Sequence, residues 1–198
     1  MLEELKQNNL VYFIYQMGNT IYGIKEPFSK YLVIVDDNYI NKDLMKSTEE
    51  DCFGCYKTKD EIFNFIKIST WFSKIEKCDI EAWKCACLPK RFILKEHVKL
   101  LMSTDPLKLR LQIDKLIKNS TNYCETIKKC KFAIQIIENH KIVNFRDGNE
   151  EIMQLLECTS DQKDAFLKII NPFYAMLKKL TDGILEKSKK DKIIQKGT

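Results

Sequence analysis

What most narrows the fold is where the chain concentrates its β-formers. Residues 10–15, 31–35 and 61–68 are rich in branched and aromatic side chains, whereas from residue 95 onward apolar residues recur every three to four positions. The first pattern suits a pleated, buried surface and the second suits one face of a helix. Within 61–68, Ile62, Asn64, Ile66 and Ile68 share one face, and Phe63, Phe65 and Lys67 share the other. Helices are expected between and after these strands. Ser69-Thr70 reads as a cap for 71–78, and a helix over 80–87 stops before Leu88-Pro89. Pro106 opens a helix carrying Leu107, Leu109, Leu111, Ile113, Leu116 and Ile117, and Ser120 caps another that runs through Tyr123, Ile127, Cys130 and Phe132 to Ile137. A short helix over 150–158 and a longer one over 161–187, bent at Pro172, complete the set. The expectation is an α+β chain. A small mixed β-sheet flanked by helices occupies 1–98, and a C-terminal helical bundle over 99–198 packs on it.

Composition removes several classes. With 198 residues, 44% of them hydrophobic, and only 6 Gly and 4 Pro, the chain is neither collagen-like nor disordered. No apolar run approaches the roughly 18–20 residues that cross a bilayer, so no membrane role is expected. Glu3, Glu4 and Lys6 precede the first apolar run, which is not the pattern of a secretory leader. The eight cysteines (Cys52, Cys55, Cys78, Cys85, Cys87, Cys124, Cys130, Cys158) read as reduced thiols in an intracellular, cytoplasmic setting. Cys52-Phe53-Gly54-Cys55 has zinc-knuckle spacing, but Cys85-Ala86-Cys87 is poor geometry for a second half. The charge is uneven: residues 1–98 hold 14 basic and 15 acidic side chains, and 99–198 hold 19 and 13. Only Arg91, Arg110 and Arg146 are arginines, and the abundance of Lys, Ile and Asn is what an AT-rich coding sequence gives. The basic run 187–196 reads as a solvated end.

The informative segment is 17–35. A strand enters a turn at Gly18-Asn19, a short helical piece carries Gly23, a polar hairpin follows, and Ser29 introduces the next strand. This resembles the nucleotidyltransferases of the DNA polymerase beta superfamily, in particular the small ones common in bacteria and large phages. There, Gly-Ser, a later Gly, and Ser-Asp-x-Asp opening the next strand form the active site. Asp79 to Cys85 with Leu88-Pro89 and Phe92 to Glu96 is similar to the helix-then-loop segment behind that family's sheet, and Lys129 to Ile137 to its helical C-terminal region.

The resemblance implies a site built on three carboxylates that hold two divalent metals, with the glycine turn offering backbone N–H groups to phosphate. In this chain the first two carboxylate positions fall at Lys30 and Leu32, the third at Asn64, and the serine of Gly-Ser at Asn19. An amine and a hydrocarbon in place of two anions swing the local charge by about three units. Each unit is worth about 4 kcal/mol at 4 Å and an effective dielectric near 20. Metal binding is therefore expected to be lost, leaving Gly18, Asn19, Gly23 and Ser29 as a nucleotide-binding remnant with no catalytic residue, no metal and no cofactor.

The resulting reading is an inactive nucleotidyltransferase-fold protein, of phage or viral origin, that acts as a binding or structural component with a protein partner in the host cytoplasm or virion. The alternative is an active, Mg²⁺-dependent transferase of NMP to a nucleic-acid or protein acceptor, in which Asp36, Asp37 or Glu61 substitutes for the lost ligands; Asp36 and Asp37 otherwise read as turn formers about 13 Å along the strand from Leu32. A further alternative is a nucleic-acid-binding module that uses the basic second half. His97 and His140 lack a metal-ligand partner at helical spacing, His140 reads as a helix cap, and Trp71 and Trp83 read as core. Residues 145–149 read as a turn ending in an N-cap.

Overall fold

The computed structural model describes residues 1–48, 51–97, 99–100, 102–158 and 161–196, with side chains through residue 188. The elements run α1 (Leu2–Gln7), β1 (Val11–Met17), β2 (Ser29–Val35), β3 (Gly54–Lys57), β4 (Glu61–Lys67), α2 (Ile68–Glu76), α3 (Ile80–Ala86), β5 (Ile93–Glu96), α4 (Pro106–Asn119), α5 (Tyr123–Asn139), α6 (Asn149–Glu157) and α7 (Gln162–Lys196). The architecture is α+β: a mixed sheet followed by helices. The chain divides into two units, Met1–Lys77 with Glu81–Met102, and Cys78–Ile80 with Ser103–Thr198.

In the first unit the strand order is β3-β4-β2-β1-β5. β1 and β2 pair antiparallel, and β2 and β4 pair parallel from Ser29↔Glu61 to Val35↔Lys67. One face of the sheet is a continuous core of Leu5, Val11, Ile14, Tyr31, Val33, Val35, Tyr39, Phe63 and Phe65. Its rings stack: Tyr31 on Phe63 at 4.7 Å and Tyr39 on Phe65 at 5.8 Å between centroids. Burying each such ring contributes about 1.5–3 kcal/mol, which is why the central strands read so strongly as β.

The five strands include β3 and β5, which the sequence reading did not anticipate. Each is only four residues long, and the segment 92–96, expected as loop, supplies the edge strand β5 against β1. The start of α2 also differs from expectation. Ser69 and Thr70 lie inside the helix rather than before it, and the cap comes from Asp37, whose Oδ1 accepts from Ser69 N (3.2 Å) and Oγ (2.9 Å).

In the second unit α5 is the hub, with Ile127, Cys130, Phe132, Ala133, Ile134, Ile136 and Ile137 buried and contacts to α4, α6 and α7. From α7, Phe166, Ile170 and Leu177 face inward, and Tyr123 stacks on Phe166 at 4.5 Å. α4 starts as expected at Pro106, capped by Asp105, which accepts from Lys108 N. α5 is capped by Asn122 rather than Ser120; Ser120 instead accepts from Asn122 N and meets the Thr126 hydroxyl. The 145–149 turn ends with Gly148 in the cap position and Asn149 as the first helical residue. α7 continues past Lys187 and through Pro172. His140 closes α5 in a left-handed conformation and approaches the Thr104 hydroxyl at 3.0 Å. No helix is long and apolar enough to cross a membrane among the described residues, and no disulfide forms among them.

Candidate functional site

The site grows out of the β1–β2 connection. β1 ends at Met17, and Gly18 follows with φ +82°, a left-handed backbone that only glycine adopts without strain. A Cβ on Gly18 would also lie 2.2 Å from Glu26 Oε2, so the Glu26 carboxylate would have to swing away from its present place. Asn19–Tyr22 makes one 3-10 turn, closed by Gly23 at φ +79°. The chain then returns through Glu26 to Ser29, the first residue of β2, whose N–H donates to Asp60 O at 2.8 Å.

The register fixes the rest. Along β2, Lys30 and Leu32 point to the same face, and Leu32 lies directly beside Asn64 of β4 and Tyr15 of β1. Lys30, Leu32 and Asn64 are thus brought together on one side of the sheet. They offer an ammonium, a hydrocarbon and an amide, and the Asn64 Oδ1 accepts from the Ser47 hydroxyl at 3.3 Å. That set does not fit a divalent cation, which needs several hard anionic oxygens. No group of three or more His, Cys, Asp or Glu side chains able to hold a metal occurs among the described residues.

The other candidate acids lie elsewhere. Glu61 pairs with Ser29, and the strand alternation turns it to the face opposite Asn64. Asp36 follows the end of β2, where it accepts from Asn38 N and the Tyr12 hydroxyl; these hydrogen bonds, the Asn38 amide foremost, hold its carboxyl below the usual range. The same contact pushes the Tyr12 phenol up. Asp37 caps α2. The thiols of the knuckle-spaced pair and of Cys85-Ala86-Cys87 form no metal-holding group among the described residues; Cys55 approaches Lys46 O at 3.5 Å and Cys85 approaches Met17 Sδ at 4.0 Å.

Two residues beside the turn were not anticipated. The carboxylate of Glu26 accepts from Asn19 N at 2.8 Å, so this turn amide is already bonded to an anion of the same chain. Lys84 on α3 is 9% exposed, with its Nζ 2.5 Å from Glu81 and 3.4 Å from the Tyr22 hydroxyl on the 3-10 turn. Burial works against the Lys84 charge, but the Glu81 carboxylate with Tyr22 outweighs it and raises the affinity for the proton, so the ammonium persists. The i, i+3 spacing of Glu81 and Lys84 was the available signal; nothing local in the sequence marks Glu26. Around Leu32 the sheet is closed by Tyr15 and Trp71, with centroids 6.1 Å apart. Desolvation raises the Tyr15 phenol, and its hydroxyl and the Trp71 and Trp83 indole N–H groups have no hydrogen-bond partner among the described residues.

Neither a family model nor a curated protein matches the chain. Among solved structures it is similar to the spectinomycin adenyltransferase of Enterococcus faecialis, crystallised with ATP and spectinomycin (11% identity, 91% of this chain and 93% of that one, TM-score 0.40). It is also similar to a nucleotidyltransferase-like protein from Exiguobacterium sibiricum (10% identity, 96% and 78%, TM-score 0.31).

Proposed function

We propose that this chain is a nucleotidyltransferase-type scaffold without transfer chemistry, serving as a binding or structural component. One observation carries the reading: Lys30, Leu32 and Asn64, the residues at the three metal-ligand positions the resemblance assigns, lie side by side on one sheet face and supply no carboxylate. The Glu26 carboxylate on Asn19 N supports it, since an incoming phosphate must first displace a tethered anion. Asp36 and Asp37 are engaged in a turn and a helix cap, which accounts for them without catalysis. The Lys-, Ile- and Asn-rich composition fits a low-GC genome such as that of a phage or virus, and we place the protein in the host cytoplasm or the virion with a protein partner.

Calorimetric titration with Mg²⁺ or Mn²⁺ and each nucleoside triphosphate tests this directly. The expected trace shows heats of dilution alone. Tight, metal-dependent binding accompanied by transfer to any acceptor would overturn the proposal. The excess of basic residues after residue 98 favours nucleic acid as a second ligand class, although most of the run 187–196 has side chains outside the described residues. Such binding must weaken steeply with added salt, because each phosphate contact releases counterions. Retention of labelled RNA or DNA that ignores salt, or no retention, excludes it.

A further inference from the structure

Two helices of the second unit, α6 and α7, each leave an apolar stripe open to solvent, and the charges that border the two stripes are of opposite sign. On α7, Met176, Leu180, Gly183 and Ile184 form a shallow groove bordered by Lys179 and Lys187. The steps from 176 to 180, 183 and 187 are four, three and four, which keeps the groove on one side of the helix as in a coiled-coil seam. Its opposite side is already used: Leu177 and Thr181 are fully buried, and Asp182 binds Arg110 at 2.8 Å. Met176 and Ile184 remain 42% and 39% exposed.

Gly183 sits in the middle of the groove. Apart from its chain neighbours and the backbone of its own helix, no described atom lies within 4 Å of the place where its Cβ would be, and its φ is not left-handed. Neither crowding nor backbone conformation within the chain calls for glycine there, and glycine in a helix interior is destabilising relative to alanine. A notch at that point admits a side chain from another helix.

α6 has the complementary surface. Met153 and Leu156 are 54% and 59% exposed, and Glu150 and Glu157 beside them are exposed as well. At 1.5 Å rise per residue, Glu150 and Glu157 stand about 10.5 Å apart along their axis and Lys179 and Lys187 about 12 Å apart along theirs. Among the described residues none of these four charges has an ion-pair partner in its own chain. Pairing of α7 with a second α7 would set lysine against lysine, so the groove does not suit its own kind.

We propose that the α7 groove is covered by α6 of a second copy of this chain, with Met153 and Leu156 seated around the Gly183 notch and Glu150 and Glu157 meeting Lys179 and Lys187. In a two-fold pair each copy gives one α6 and receives one, so the contact is made twice. The pairing is independent of whether the sheet unit is catalytic.

Sedimentation equilibrium of the full chain tests it. The wild type should dimerise, and K179E/K187E and E150K/E157K should each dissociate about tenfold more readily. Mixing the two variants should restore a mixed dimer, because acidic α6 then meets basic α7 in one contact and the reversed pair in the other. G183A, which fills the notch without touching anything in its own chain, should also weaken association by about tenfold while the monomer melts no lower. A wild type that stays monomeric through the high-micromolar range overturns the proposal, including in favour of a foreign acidic helix as the true occupant. A dimer indifferent to both charge reversals, or two variants that do not rescue each other, overturns it equally.

Discussion

The glycine turn of the sheet unit and the 143–149 loop of the helical unit solve similar problems with opposite means. Both place a glycine at positive φ, +82° for Gly18 and +91° for Gly148. The first is held directly by one carboxylate, Glu26 on Asn19 N, with the Lys84–Glu81 ion pair reaching only the Tyr22 hydroxyl at the far end of its 3-10 turn. The second is nailed to α5 by charge. Lys128 donates to Phe145 O (3.3 Å), Asp147 O (3.0 Å) and, at very close range, Asn149 Oδ1. Lys131 binds Asp147 (2.8 Å) and Glu151 (2.6 Å), while the Gln135 amide donates to Asn144 O and Asp147 and its oxygen accepts from Val143 N and Asn144 N. The lesson is that a glycine at positive φ reports only on the path of the backbone. The chemistry of a turn resides in the side chains around it, and these can change while the path stays.

Substitutions can break this contrast from either side. The sheet side depends on packing, so Phe63→Ala, which empties a fully buried position under Tyr31, should cost about 3–5 kcal/mol in denaturant unfolding. A loss under 1 kcal/mol would show that the rings are not what holds that unit.

The helical side depends on buried hydrogen bonds, so Lys128→Met should cost about 2–3 kcal/mol by leaving two carbonyls and an amide oxygen without this donor. Its pH dependence has a defined sign. Burial pushes the Lys128 ammonium down to about 8, against the pull of Asp147 and Glu151 and with Lys131 adding to the push, from an ordinary 10.5. The unfolded chain therefore holds this proton more tightly than the folded one, and the group's contribution to stability rises as pH climbs from about 8 towards 10.5. Unfolding curves of wild type and Lys128→Met across that range should diverge in favour of wild type; parallel curves would remove the titration from the account.

The smallest effect sharpens the glycine argument itself. Gly18→Ala should destabilise by about 1–3 kcal/mol through φ strain and displacement of the Glu26 carboxylate from Asn19 N, whereas Gly183→Ala should stabilise the monomer by about 0.5–1 kcal/mol. Equal signs for the two melting shifts would contradict the distinction drawn between them.

The parts of this molecule that a sequence shows are those whose cause is local. β1, β2 and β4 announce themselves because each buries a run of branched and aromatic residues, and α4 because Pro106 marks its first turn. β5 does not, since three of its four residues are only half-buried and its pairing is set by β1, some eighty residues earlier. The cap of α2 was misplaced for the same reason: Asp37 reaches Ser69 across 32 residues, and no local pattern encodes that reach. In the site, the positions of Lys30, Leu32 and Asn64 along their strands were legible, but their adjacency required the β2–β4 register. Glu26 was invisible because a polar residue in a hairpin looks the same whether or not it bonds the turn.

Lys67 gathers the carbonyls of Asp37 and Tyr39 at 2.7 Å each and that of Asp36 at 3.5 Å, next to the Asp37 cap on α2. These bonds join segments about thirty residues apart and lie at the end of the β2–β4 parallel pairing, whose last register pair is Val35↔Lys67. The loop after β2 therefore acts as a latch: it is fastened to the end of β4 and opposes separation of the two central strands.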